Sequence, residues 1–114
     1  MCNSWLVKIH DTLRAINYII EDTKDMDFED FLKNRILRQA TERNIELIGE
    51  ALNSIPKDIQ IKYQNVDWRN IIGMRDYLIH QYFDVMPDII WEVASLHIYE
   101  LQQQLIKILQ TEQV

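Results

Sequence analysis

The sequence predicts an all-α protein, and three observations carry that expectation. Hydrophobic residues make up 47% of the 114 residues, and along most of the chain they recur at threes and fours, the period of one helix face. Turn material is scarce, since two glycines (Gly49, Gly73) and two prolines (Pro56, Pro87) cannot supply the corners of a many-stranded sheet. The length fits one domain, residues 1–114, with a single core that needs no staple. The expected architecture is a bundle of four main helices with one short connecting helix.

The first helix is expected from about Ser4 to Glu21, with Asn3 or Ser4 as N-cap and Trp5, Ile9, Leu13, Ile16 and Ile20 on its buried stripe. The acidic run E-D-T-K-D-M-D has no period and reads as a loop. Asp27 can then cap a second, long helix, placing acids at its positive end. Phe28, Phe31, Leu32, Ile36, Ala40, Leu47, Ala51 and Leu52 are expected to line it up to about Ile55, and Pro56 to end it. Residues 56–63 read as a short helix or turn. Asp67 is the expected N-cap of a third main helix running toward Phe83. A fourth opens at Pro87, where a missing N–H costs nothing, and Ile90, Val93, Leu96, Leu101, Leu105, Ile108 and Leu109 form its stripe. The terminal T-E-Q-V is expected to fray.

The lone Cys2 allows no internal disulfide and fits a reducing compartment. No apolar run reaches the length of a membrane span, and the N-terminus has no signal-peptide apolar region. A cytoplasmic protein with no membrane partner is expected. The net charge of −6 argues against a phosphate-bearing partner. Its distribution softens that objection, because residues 1–30 hold seven acids against three bases while Lys33, Arg35, Arg38 and Arg43 face only Glu42 over residues 33–43.

The segment from Asp67 to Phe83, D-W-R-N-I-I-G-M-R-D-Y-L-I-H-Q-Y-F, departs from what packing alone requires. On a helical wheel Trp68, Ile71, Ile72, Leu78, Ile79 and Phe83 fall to one side, and Arg75 projects from the middle of that stripe. Tyr82, seven residues after Arg75, lies nearly above it, whereas Asp76 and His80 share the opposite side. Singly, each has an ordinary structural reading: a core ion pair, a solvated acid–imidazole pair, a core tyrosine. On the preceding helix Glu46 and Glu50 are like charges four apart, so a cation beside them is favourable, and Arg75 is the candidate for either. Gly49 between them costs about 1 kcal/mol relative to alanine, tolerable if another backbone approaches closely there.

Other chemistries find little support. His10, His80 and His97 lack the H-E-x-x-H spacing, so neither a metal site nor a cofactor is expected. No glycine-rich phosphate loop is present, and Ser4, Ser54 and Ser95 have no nucleophile-elbow context.

The spacing R-D-Y-L-I-H-Q-Y, from Arg75 to Tyr82, resembles the R-x-x-x-x-H-x-Y motif of HepT toxins within the HEPN superfamily of helical ribonucleases. The flanks R-N-I-E-L-I-G-E-A, from Arg43, W-R-N-I-I-G-M, from Trp68, and D-I-I-W-E-V, from Asp88, extend the resemblance over most of the chain. It implies a HEPN-like, dimeric fold with two motifs lining a shared cleft. It makes Arg75 and His80 the catalytic pair of an endoribonuclease and Asp76 the polar residue that follows the motif's arginine; with no metal site expected the cleavage is metal-independent, and Glu50 is the supporting acid as a partner for Arg75. It makes Tyr82 the hydroxyl that takes AMP from the antitoxin, a minimal nucleotidyltransferase of the MntA type. The expected partners are therefore a second copy, an MntA-like antitoxin and RNA rather than DNA. The alternative within the superfamily is a non-catalytic subunit that binds nucleotide or a partner.

The residue types suit the chemistry. Metal-free RNA cleavage needs a base for the ribose 2′-OH, an acid for the departing 5′ oxygen and a cation for the transition-state charge. Histidine titrates near neutrality, and a guanidinium presents a fork matched to phosphate oxygens. Asp76 is expected to orient the His80 imidazole. Arg75 and His80 diverge by about 140° on a regular helix, so the helix must bend or end near His80, or two subunits must supply complementary halves.

Overall fold

Helical periods in the sequence become helices throughout, and the computed structural model describes residues 4–81 and 85–113. In chain order the elements are α1 (Ser4–Thr23), α2 (Phe28–Lys33), α3 (Arg35–Asn53), α4 (Lys57–Lys62), α5 (Trp68–His80), α6 (Pro87–Glu92), a π-helical turn (Val93–His97) and α7 (Ile98–Glu112). Among the described residues there is no strand. α3 is central, packing along α1 on one side and along α5 on the other, while α7 lies against α1. The core between them is aliphatic, with Ile9, Ile16, Ile19, Ile48, Leu52, Ile55, Leu105 and Ile108 almost fully enclosed. Buried threonines need a partner for the hydroxyl. Thr12, Thr23 and Thr41 donate to the carbonyls of Lys8, Ile19 and Leu37 at 2.8, 2.7 and 2.8 Å.

The expected long second helix is two helices. Asn34 interrupts it, with its side-chain oxygen accepting from the Leu37 N–H at 3.0 Å as the N-cap of α3, a role asparagine fills well. Asp27 caps α2 as expected, and Asp30 returns the bond to complete a capping box. The break has a packing reason: it frees α2 to lean on α6, where the Phe31 and Phe28 rings lie 5.1 and 6.5 Å from that of Trp91. It also changes the phase of the apolar stripe. Ile45 and Ile48 enter the core, whereas Leu32, Ile36, Ala40 and Leu47 are exposed.

The last helix differs as well. Pro87 opens it as expected, but the π turn holds one more residue than an α turn and so rotates everything after it by about one residue step. Ile98 therefore takes the core position and Leu96, expected inside, is 60% exposed. The chain end is also anchored further than expected. α7 runs to Glu112, whose carboxylate lies 2.6 Å from Lys62 Nζ and accepts a hydrogen bond from the Tyr63 hydroxyl. No helix among the described residues is long and apolar enough to cross a membrane.

Candidate active site

α5 begins where the sequence placed it. Asp67 accepts from the Asn70 N–H at 3.4 Å, and the Trp68 indole N–H donates to the Tyr63 carbonyl at 3.0 Å, fixing the helix start against α4. Trp68 and Leu78 are buried and Ile71, Ile72 and Ile79 half-buried, which holds one face of α5 on α3. Arg75 lies at the edge of that contact, its side chain 29% exposed.

Gly49 makes the contact close. A Cβ added there would stand 2.4 Å from Arg75 Cβ, nearer than two non-bonded carbons can approach, so the Arg75 side chain of α5 lies directly on the bare α3 backbone. The crossing carries the guanidinium to the rim beside Glu50, with Nε 3.9 Å from Oε1. Glu46 instead pairs with Arg43 at 2.8 Å, so of the two glutamates Glu50 is the one at Arg75. The 3.9 Å contact is an ion pair too long for a hydrogen bond, and Arg75 Nε is buried without a hydrogen-bond partner. A buried N–H left unmatched is costly, and this one belongs to the residue best suited to hold a phosphate.

Asp76 does not take the role expected of it. Its carboxylate lies 3.3 Å from Arg75 Nη1, and no hydrogen bond joins it to the His80 ring. Adjacent residues on a helix rarely meet, but a long guanidinium can curl back to a following carboxylate. His80 is exposed and is the last residue of α5. The Gln81 N–H closes the helix on the Tyr77 carbonyl at 3.0 Å. The helix therefore ends at His80, one of the alternatives the geometry left open. Five residues of regular helix still separate the pair, about 7.5 Å along the axis and 140° around it.

Tyr82 lies outside the described residues. Tyr77, which the sequence reading passed over, has a visible part: its hydroxyl accepts from the Met86 N–H at 2.9 Å and so ties α5 to the approach of α6. The only sequence signal for it was its place inside the R-x-x-x-x-H spacing. The basic run on α3 is largely spent on α3 itself and on the end of α2. Arg43 pairs with Glu46, Arg38 donates to the Leu32 carbonyl and Arg35 to Gln39 at 3.2 Å. Beside it, burial holds the Glu42 carboxyl above the ordinary carboxylate range, against the pull of Arg38.

The two flanks of α5 border different hollows. One, of about 420 Å3, has an apolar floor that includes Ile45, Ile71 and Leu101 and a rim carrying Asp67, Glu92 and Glu100. The other, open and about 820 Å3, is bordered by Lys57 and Arg69. Among the described residues no three His, Cys, Asp or Glu side chains cluster as metal ligands would.

Comparison with known proteins agrees with this helix set. The family described as "Ribonuclease HepT-like" matches residues 12–108. A protein of Caldanaerobacter subterraneus subsp. tengcongensis named "Putative RNase TTE0752" is 45% identical over 100 residues, covering 88% of this chain and 89% of that protein. "Putative RNase MJ0125" of Methanocaldococcus jannaschii is 44% identical over 101 residues, 89% of this chain and 87% of its own. "Probable ribonuclease HepT" of Thermococcus cleftensis is 37% identical over 94 residues, 82% and 86% respectively. No solved structure gave a significant match. With a family match spanning α1 to α7 and relatives that share nearly their full length, this chain belongs to the HepT-like family of the HEPN superfamily.

Proposed function

We propose that the chain is a metal-independent endoribonuclease, the toxin of a toxin–antitoxin pair, with Arg75 and His80 as its catalytic residues. The observation that carries this reading is the Arg75 guanidinium, held at the α3–α5 rim with its Nη1 3.3 Å from Asp76 and its Nε buried and unmatched, facing only a long ion pair to Glu50. A purely structural arginine so placed would be better satisfied. A phosphate oxygen supplies the missing acceptor. His80, exposed at the end of the same helix, takes the proton from the ribose 2′-OH. The 2′ oxygen then attacks phosphorus while Arg75 stabilises the added charge, and the 5′ oxygen leaves with a proton returned from a protonated His80 imidazole. The products are a cyclic phosphate and a free 5′-hydroxyl.

Since one helix points Arg75 and His80 apart, the site is completed across a homodimer. Ile36, Ala40, Arg43, Leu47 and Glu50 follow one another at threes and fours, and they form an exposed stripe along α3 that ends beside Arg75. Apolar residues on a solvent face of this kind suit an isologous contact, which brings both Arg75 segments together. Tyr82, two residues past His80, is the regulatory position. An MntA-like nucleotidyltransferase transfers AMP from ATP to its hydroxyl, releasing pyrophosphate, and the attached phosphodiester competes for the guanidinium.

The test is RNA cleavage by purified protein in the presence of a chelator, with light scattering for the dimer. His80→Ala and Arg75→Ala should each lower the rate by about two to four orders of magnitude with the fold intact. Arg75→Lys should also be impaired, because an ammonium lacks the planar fork. Full activity in either alanine variant, or a complete dependence on magnesium, would overturn the mechanism. Tyr82→Phe should cut RNA yet escape neutralisation by the nucleotidyltransferase. Wild-type neutralisation of that variant removes the regulatory role and leaves the catalytic one standing.

A further inference from the structure

Gly73 is the unexplained residue of α5. A glycine inside a helix costs about 1 kcal/mol against alanine, and at Gly49 close packing accounts for that cost. At Gly73 nothing does, since the residue is exposed and a Cβ built there meets no atom within 4 Å. Glycine at such a place serves the close approach of something that is not part of the fold.

Its neighbours indicate what approaches. Arg69, Gly73, Asp76 and His80 recur at spacings of four, three and four, so they form one exposed ridge along α5. Arg69, Gly73 and Asp76 of this ridge border the open hollow of about 820 Å3, and Lys57 at the start of α4 faces the same space. Its cations, Lys57 and Arg69, make no ion pair among the described residues. The carboxylate bordering it, Asp76, is already turned to Arg75 at 3.3 Å. In a chain of net charge −6 this is a local cationic surface, and His80 lies four residues past Asp76 on the same face of α5. The opposite flank of α5 is rimmed by Asp67, Glu92 and Glu100, which repel phosphate.

We infer that this hollow is the track of the RNA strand leading away from the bond that is cut. Arg69 and Lys57 hold phosphates, and the sugar–phosphate backbone crosses the bare helix backbone at Gly73. Eleven residues of helix place Arg69 about 16 Å from His80. Arg69 is thus too distant to touch the reacting phosphate, and both it and Lys57 are positioning residues. The inference rests on the ribonuclease reading, and its test separates the two.

The probe is a fluorescein-labelled 2′-O-methyl RNA 12-mer, which has no 2′-OH to react, followed by anisotropy over a range of salt. Arg69→Gln and Lys57→Gln should each weaken binding by about threefold to thirtyfold and reduce the slope of log affinity against log salt by about 0.7, one phosphate contact on a single strand. On cleavable RNA both should raise KM and leave kcat unchanged. Gly73→Ala should move two readings in opposite directions, raising the melting temperature while weakening RNA binding at least fivefold. A structural role alone cannot give that pair of signs.

Unchanged affinity and salt slope in both charge variants overturns the track, as does a stabilised Gly73→Ala protein that binds RNA normally. A Gly73→Ala change that appears only in the dimer dissociation constant overturns it too, assigning the space to a second copy. If the probe binds with the expected dependencies but no RNA is cut, the track stands and the catalytic reading fails. If RNA is cut and the slopes do not change, the catalytic reading stands and the track fails.

Discussion

Gly49 and Gly73 are the two glycines of the chain, each inside a helix, and they occupy opposite situations. At Gly49 the missing side chain is filled by Arg75, with Cβ, Cα and Cγ of that residue 2.4, 3.4 and 3.4 Å from where a Cβ would stand. At Gly73, two residues before Arg75 and on another face of α5, the corresponding space is empty. The first glycine is a packing solution and the second is not. The difference separates the part of α5 that holds Arg75 in place from the part left open for a ligand.

The largest effect that probes this contrast is expected at Gly49→Ala. Overpacking of this kind costs about 1–3 kcal/mol, and it must be set against about 1 kcal/mol gained in helix propensity. The overlap is with a Cβ on a helix, which cannot swing aside, so the net effect is destabilising. Urea unfolding should show a lower midpoint with an unchanged slope, and cleavage should fall because the Arg75 guanidinium is displaced from Glu50. A neutral or stabilised Gly49→Ala protein would mean that α3 and α5 separate easily, and the rim would then not be a rigid mount.

Gly73→Ala should have the opposite sign and a smaller size. Helix propensity and reduced freedom in the unfolded chain favour alanine by about 0.5–1 kcal/mol, with no clash to set against it. For a domain of this size that is a rise of roughly 3–6 °C in the melting temperature. Calorimetry on both alanine variants measures the contrast directly. Equal shifts of the same sign would abolish it.

Smaller again is the stability effect of Glu50→Gln. The carboxylate is 45% exposed and 3.9 Å from Arg75 Nε, and exposed ion pairs of this kind contribute roughly 0–1 kcal/mol. Its effect should be functional: kcat reduced several-fold with KM and melting temperature nearly unchanged, because the guanidinium is no longer held at the rim. A matched loss of stability and activity would make Glu50 structural.

Much of this was legible in the sequence, and the exceptions have physical causes. Helical periods and the residues Asp27, Asp67 and Pro87 marked helix starts because each satisfies, or does without, an orphan backbone donor at a single position. Asn34 carried the same kind of signal, but an uninterrupted apolar rhythm from Phe28 to Leu52 concealed it, and only the Phe31–Trp91 contact shows why the break is there. The π turn at Val93–His97 had no local marker, so the phase shift that buries Ile98 and exposes Leu96 could not be anticipated from period alone. At the site, the residue types and the Gly49 approach were readable. The choice of Glu50 over Glu46 and the turning of Asp76 toward Arg75 depend on how two helices cross, which a single helical wheel does not contain.

The steric origin of the glycine contrast also makes a prediction about pH, with the far end of the bundle as a control. There, hydrogen bonds from Lys62 first and Tyr63 second hold the Glu112 carboxyl below its ordinary value of 4.5, and Glu112 holds the Lys62 amine above its ordinary 10.5. A carboxyl depressed in the folded state stabilises above its unfolded pKa, and that contribution is lost as pH falls through the depressed value. A raised lysine contributes below its unfolded pKa and ceases to contribute as pH rises through the raised value. The clamp is therefore intact between the ordinary carboxyl value of 4.5 and the ordinary amine value of 10.5, and it opens in acid as Glu112 is protonated. Backbone carbon shifts of residues 109–113 should lose helical character as pH falls through the depressed Glu112 value, and Glu112→Gln should show the loosened end already at pH 7. Because the clamp joins α4 to α7, away from the α3–α5 crossing, the difference in unfolding midpoint between Gly49→Ala and Gly73→Ala should be the same at pH 7 and pH 5. A contrast that changes between those values would trace to a change of charge in the protein rather than to the space each glycine leaves.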